Sequence, residues 1–200
     1  MEHLFSNMPV QVPEQIPLGY LGFRQNSVPP SQHMMAEIRK NISSIRPSGI
    51  IKMVEVSYLE DTVILGEDGR VISSGFYRYL YPCKKALLMV STAGPAIPER
   101  IGEMLKNGRA EDGVILDACA SACTDAGLDF MLKMRKPYLY KMGYDLLPTR
   151  FSPGYGDMPL SFQRVLFTQL DAGRLGVALT DGNMLSPEKS VLAVCGVKAR

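Results

Sequence analysis

The pattern of hydrophobic and polar positions changes period several times along this chain, and each change marks an element. Residues 1–30 hold five prolines (Pro9, Pro13, Pro17, Pro29 and Pro30) and no sustained period, which predicts an extended arm. Within that arm Leu18-Gly19-Tyr20-Leu21-Gly22-Phe23 is aromatic enough to pack on the body or to touch a partner. Ser31 then caps a helix carrying Met34, Met35, Ile38, Ile42 and Ile45 on one face, ended by Pro47 and Gly49. From Ile50 the period becomes two: Val54, Val56 and Tyr58 alternate with Glu55 and Ser57, as in a half-buried strand. Residues 62–65 and 70–73 flank Gly66-Glu67-Asp68-Gly69 and predict a hairpin. The continuous apolar run at 85–91 fits a central strand.

Past Gly94, Pro98 lies near the start of a helix through Ile101, Met104 and Leu105 that closes at Gly108. A long helix is expected over 112–134, with Pro137 just beyond. Its inward face is small (Ala118, Cys119, Ala120, Ala122, Cys123, Ala126, Gly127), which lets it lie close to a neighbouring backbone or a ligand. Another face carries Asp117, Ser121, Asp125 and Asp129 at intervals of four, a stripe that is ordinarily solvated surface. Pro159 and Ser161 open a short helix through Phe162, Val165, Leu166 and Leu170, and two strands follow at 177–179 and 191–195. Strands grouped in the middle and at the end, with short connections, predict an α+β fold on a mostly antiparallel sheet.

Two hundred residues suit one domain with an arm, here 31–200 as a single domain and 1–30 packed on it. A net charge of +2 is too small to argue for nucleic acid or an anionic membrane. No apolar run is long enough to span a bilayer, and Met1-Glu2-His3-Leu4-Phe5 lacks the basic start of a secretion signal, so the cytoplasm is the expected address. The cysteines (Cys83, Cys119, Cys123, Cys195) form no Cys-x-x-Cys pair and lie far from His3 and His33, so they read as buried, reduced side chains.

One stretch carries candidate chemistry: Thr149-Arg150-Phe151-Ser152-Pro153-Gly154-Tyr155-Gly156. Pro153 stiffens it, while the two glycines allow a ligand close to the main chain. The arginine offers a planar fork of donors suited to a carboxylate, and the tyrosine a flat face with a polar tip. Taken alone, the stretch also fits a surface turn with a solvated arginine. Neither histidine lies near a plausible Ser or Cys partner in sequence, so no convincing nucleophilic triad stands out.

Arg-x-x-x-Gly-Tyr at 150–155 resembles the S-adenosylmethionine-binding signature of the activation domain of cobalamin-dependent methionine synthase. Thr92-Ala93-Gly94, Leu116-Asp117-Ala118 with Ser121-Ala122, and Leu179-Thr180-Asp181 followed by Ser186-Pro187 and Ser190-Val191 extend the resemblance from about Val54 onward. It implies a curved, mostly antiparallel sheet with flanking helices, and a cleft for S-adenosylmethionine. Arg150 would take the ligand carboxylate, the backbone at Ser152 and Gly154 the adenosine end, and Tyr155 would wall the pocket. Asp125, in the context Ser121-Ala122-Cys123-Thr124-Asp125-Ala126, matches an acidic contact that is usually glutamate in the family, with Asp129 as the alternative.

The implied role is an S-adenosylmethionine-binding subunit for reductive reactivation, in methionine biosynthesis, that is not catalytic alone. The cobalamin would be held by a partner methionine synthase chain, and a flavodoxin-like electron donor is a further implied partner. Since the sequence has no Asp-x-His-x-x-Gly for a corrin, a separate docking subunit is expected. It also stops at Arg200, where larger members add an aromatic contact. Two other readings stay open: an S-adenosylmethionine-dependent methyltransferase, whose glycine-rich turn Ser91-Thr92-Ala93-Gly94 imitates poorly, and a non-enzymatic module docking on a corrinoid protein.

Overall fold

The structure, a computed structural model, describes residues 2–24 and 28–200. The expected arm opens with strand β1 (Glu2–Phe5) and includes helix α1 (Gln15–Tyr20), so it is not extended throughout. Positions 1 and 25–27 of that arm lie outside the described residues. Helix α2 (Gln32–Ser44) starts where expected, with the Ser31 hydroxyl accepting from Met34 N at 3.1 Å. Then come β2 (Ser48–Leu59), β3 (Thr62–Leu65), β4 (Gly69–Ile72), α3 (Ser74–Leu80) and β5 (Lys85–Thr92). Helices α4 (Ala96–Lys106) and α5 (Ala110–Lys141) follow, then β6 (Tyr144–Leu146) and α6 (Gln163–Leu170). A two-residue pair, β7 (Ala178–Leu179) and β8 (Leu185–Ser186), precedes the closing strand β9 (Ser190–Ala199).

The main sheet runs β4-β3-β2-β5-β9-β6, with β1 added beside the first half of β2, and every pairing in it is antiparallel. The fold is therefore α+β with flanking helices, as expected. Register follows the two-residue side-chain period. Ile50, Leu88 and Val194 point to a core shared with Phe76 of α3 and Leu166 and Leu170 of α6. Ile51, Leu87, Met89, Ala193 and Cys195 point the other way, toward α2 and α5.

The small residues of α5 let it lie hard against the sheet. A Cβ at Gly127 would fall inside the Ser91 hydroxyl and 3.0 Å from Met8 Cε. This helix outruns its expected end at position 134 and continues through Pro137 to Lys141. Proline there removes the hydrogen bond to the Lys133 carbonyl, and both positions are exposed, so solvent can replace it. The expected short helix after Pro159 is present as a 3-10 turn running into α6. Helix α3 and strand β6 are among the elements that had no counterpart in the sequence pattern; seven and three residues are too few for a period to show. All four cysteines are buried, and burial pushes the Cys195 thiol up to about 11 and that of Cys119 to about 12.

Candidate functional site

The segment that carries Arg150 leaves the edge of the sheet as a bulge. β6 pairs with β9 as far as Leu146↔Val197, and Leu147 N still donates to Gly196 O at 2.9 Å. Ladder bonding resumes only at Phe151, which exchanges both backbone bonds with Val194, at 2.9 and 2.8 Å. Pro148, Thr149 and Arg150 bow out between these points. The phenol of Tyr79, on α3, fills the gap by donating to Thr149 O at 2.6 Å and accepting from Gly196 N at 3.4 Å. Burial first, then the neighbouring Cys195, raises the Tyr79 pKa well above the ordinary phenol, so the group remains a donor.

The bow turns Arg150 toward α5. Its Nη2 meets both oxygens of Asp125 at 2.9 Å, and its Nη1 bonds Asp129. The guanidinium side chain is only 19% exposed, against 49% for Asp125 and 67% for Asp129. Asp125 and Asp129 are one helical turn apart, so α5 presents both acids to one cation. The first half of the same stripe is occupied as well: Lys189 Nζ lies 2.7 Å from Asp117 and 3.2 Å from the Ser121 hydroxyl. The acids of the stripe stay partly exposed, as expected, and are also ion-paired, because Lys189, just before β9, and the 149–156 segment bring cations to it from distant sequence.

Arg150, the two acids, Ser152 and Tyr155 line a cleft of about 550 Å³ whose apolar wall includes Leu132, Leu147 and Val191. Tyr155 stands at its rim, 71% exposed. Gly154 is not on the wall; at φ +88° it makes the turn, and its N–H is bonded to Met158 O at 3.0 Å. A ligand contact from Gly154 would therefore fall to its carbonyl oxygen. Tyr155 N similarly donates to Ser152 O at 3.3 Å. The segment 149–156 is thus an organised turn with its arginine held in a cleft, and not a surface turn with a solvated side chain.

Three neighbours of the cleft escaped the sequence reading. Tyr20, on α1, is near enough to feel the cleft acids: its phenol pKa is raised by burial, then by the Asp125 charge and by Tyr155. Tyr79 supports the bow through Thr149 O, and Asp157 anchors its far end to Ser74. Tyr20 lies in the aromatic stretch that the arm's sequence singles out, whereas nothing local marks Tyr79 or Asp157, whose partners lie 70 and 84 positions away. A second groove, about 460 Å³, lies between the β3–β4 hairpin and Pro159. Arg70 is the one charged side chain lining it, so it lacks the opposed charges of the first.

No family model matches the chain, and no curated protein matches it either. A solved structure does: the crystal structure of the MetH reactivation domain bound to AdoHcy. The TM-score is 0.75, over 98% of this chain and 78% of that one, at 12% sequence identity. The chain has the fold of that domain.

Proposed function

We propose that this chain binds S-adenosylmethionine in the Arg150 cleft and presents its methyl group to cobalamin held by a partner, reactivating cobalamin-dependent methionine synthase. The observation that carries the reading is the meeting of Arg150, Asp125 and Asp129 in one cleft of a chain with the fold of a domain crystallised with AdoHcy. S-adenosylmethionine bears a carboxylate, an ammonium and a sulfonium, so its recognition needs a fixed cation beside acids. A cleft of about 550 Å³ falls within the roughly 300–1,000 Å³ typical of small-molecule sites. Arg150 exchanges an aspartate for the ligand carboxylate, keeping a charge-assisted pair throughout. Asp125, released from the fork, faces the ligand's cationic groups. Ser152 and the Gly154 carbonyl serve the adenosine end, and Tyr155 walls the mouth.

When bound to the partner, cobalamin supplies the cobalt centre that accepts the methyl group. The residues of this chain hold and orient the donor, a contribution of proximity rather than acid–base chemistry. In this reading residues 31–200 form the ligand-binding domain, residues 1–30 are its packed extension, and a flavodoxin-like protein delivers the electron in the cytoplasm. Among the described residues no helix is long and apolar enough to cross a membrane. The antiparallel sheet offers no parallel strand–turn–helix nucleotide site of the usual methyltransferase kind, which favours the donor-presenting role.

Titration calorimetry with S-adenosylmethionine and S-adenosylhomocysteine tests the reading directly. Both bind the native chain, and Arg150→Ala loses on the order of 2 kcal/mol for either. Equal affinity in that variant would overturn the carboxylate pairing. Methyl transfer to a small acceptor without any corrinoid protein would overturn the donor-presenting role.

A further inference from the structure

The 149–158 segment makes little regular structure of its own, yet α3 grips it at three points. Tyr79 holds Thr149 O, immediately before Arg150. The Phe151 ring, immediately after, packs against Phe76 and Tyr79 with centroids 5.3 and 5.6 Å apart. At the far end the Asp157 carboxylate accepts from the Ser73 hydroxyl at 2.5 Å, the Ser74 hydroxyl at 2.9 Å and Gly75 N at 3.1 Å. Gly75 leaves room for this approach, since a Cβ would stand 2.8 Å from the Asp157 oxygen and push the carboxylate aside. Between the grips lies the turn that carries Ser152, Gly154 and Tyr155, closed by Gly154 N to Met158 O and Met158 N to Tyr155 O.

We infer that α3 is a splint for the ligand-binding turn, with Asp157 and Tyr79 as positioning residues that set the cleft without lining it. The inference rests on the proposed reading of the cleft as the ligand site. Its physical basis is preorganisation: a turn with two positive-φ glycines, Gly154 and Gly156, has many accessible conformations. Whatever holds it in one of them before the ligand arrives removes an ordering cost from binding. Asp157 does this with charge-assisted bonds to groups more than eighty positions away. Tyr79 does it by standing in for the ladder bonds that the bow at 148–150 gives up.

The test uses the full chain in native, Asp157→Ala, Asp157→Asn and Tyr79→Phe forms. Affinity for S-adenosylhomocysteine is read by calorimetry and backbone protection by hydrogen exchange. Asp157→Ala weakens binding about tenfold and Tyr79→Phe about threefold, with Arg150 intact. Asp157→Asn, which keeps one acceptor oxygen, recovers part of the loss. Exchange at the Gly154, Tyr155 and Met158 amides rises in step while α5 and β5 stay protected, a pattern that general destabilisation does not produce. Unchanged affinity and unchanged loop exchange in Asp157→Ala overturn the inference, as does exchange that rises equally in α5 and β5. A native chain that binds neither ligand sinks the reading of the cleft and this inference with it. Native binding that Asp157→Ala matches sinks the inference alone.

Discussion

The two halves of the cleft are held by opposite means. Asp125 and Asp129 stand on α5, whose hydrogen bonds are internal and whose inner face is pressed on the sheet at Gly127. Arg150, Ser152 and Tyr155 stand on a bow with a gap in its ladder, kept in place by α3. One side is rigid through local geometry and close packing; the other is rigid only because a remote element grips it. A site built this way places its acids by helix period and its cation by tertiary contact. The cation's side is the one that small changes at a distance can loosen.

The comparison is broken most severely from the helix side. Gly127→Leu forces α5 off Ser91 and Met8, and should cost about 3 kcal/mol of stability, read as a lower urea midpoint. A loss under about 1 kcal/mol would mean that close helix–sheet approach is not what fixes the acids. A smaller effect distinguishes the two aspartates. Asp125→Asn should weaken S-adenosylmethionine binding by about 1 kcal/mol, since Asp125, once released from the fork, is the acid that meets the ligand's cationic groups. Asp129→Asn should cost only a few tenths, because an exposed pair is screened by solvent. Equal losses in calorimetry would put the two acids on the same footing.

The smallest effect is on the loop side and depends on pH. Hydrogen bonds from Ser73 first, then from the Gly75 amide, hold the Asp157 carboxyl well below the usual carboxylate range. A depressed acid stabilises the fold above its unfolded pKa, and the contribution fades as pH falls through the folded value. Loop exchange, corrected for its intrinsic pH dependence, should therefore stay flat from pH 8 to about 5 and rise only below about pH 4. Asp157→Asn removes that acid limb. A rise near neutral pH in the native chain would assign the control to another group.

Much of the fold was readable because it rests on period. The alternation at Val54, Val56 and Tyr58, the turn at Gly66-Glu67-Asp68-Gly69 and the apolar run at 85–91 became β2, the β3–β4 hairpin and the central β5. Ser31 capped α2 as its side chain requires. Helix α5 outruns the stop that Pro137 predicts, because an exposed carbonyl tolerates the missing donor. Of the cleft, Arg150 with Asp125 stood out through resemblance, and the structure brings them within 2.9 Å. Tyr20, Tyr79 and Asp157 did not, since their partners lie far along the chain.

By itself the sequence determined the longer strands and helices, which of their faces are apolar, and that an arginine would sit on a glycine-opened turn. These are local matters of side-chain period, capping and backbone freedom. The tertiary structure alone decided that the arginine would meet two acids of α5, and that a short helix eighty residues upstream would hold the turn. Such contacts join groups whose nearness arises only once the antiparallel sheet has brought β6, β9 and α3 together.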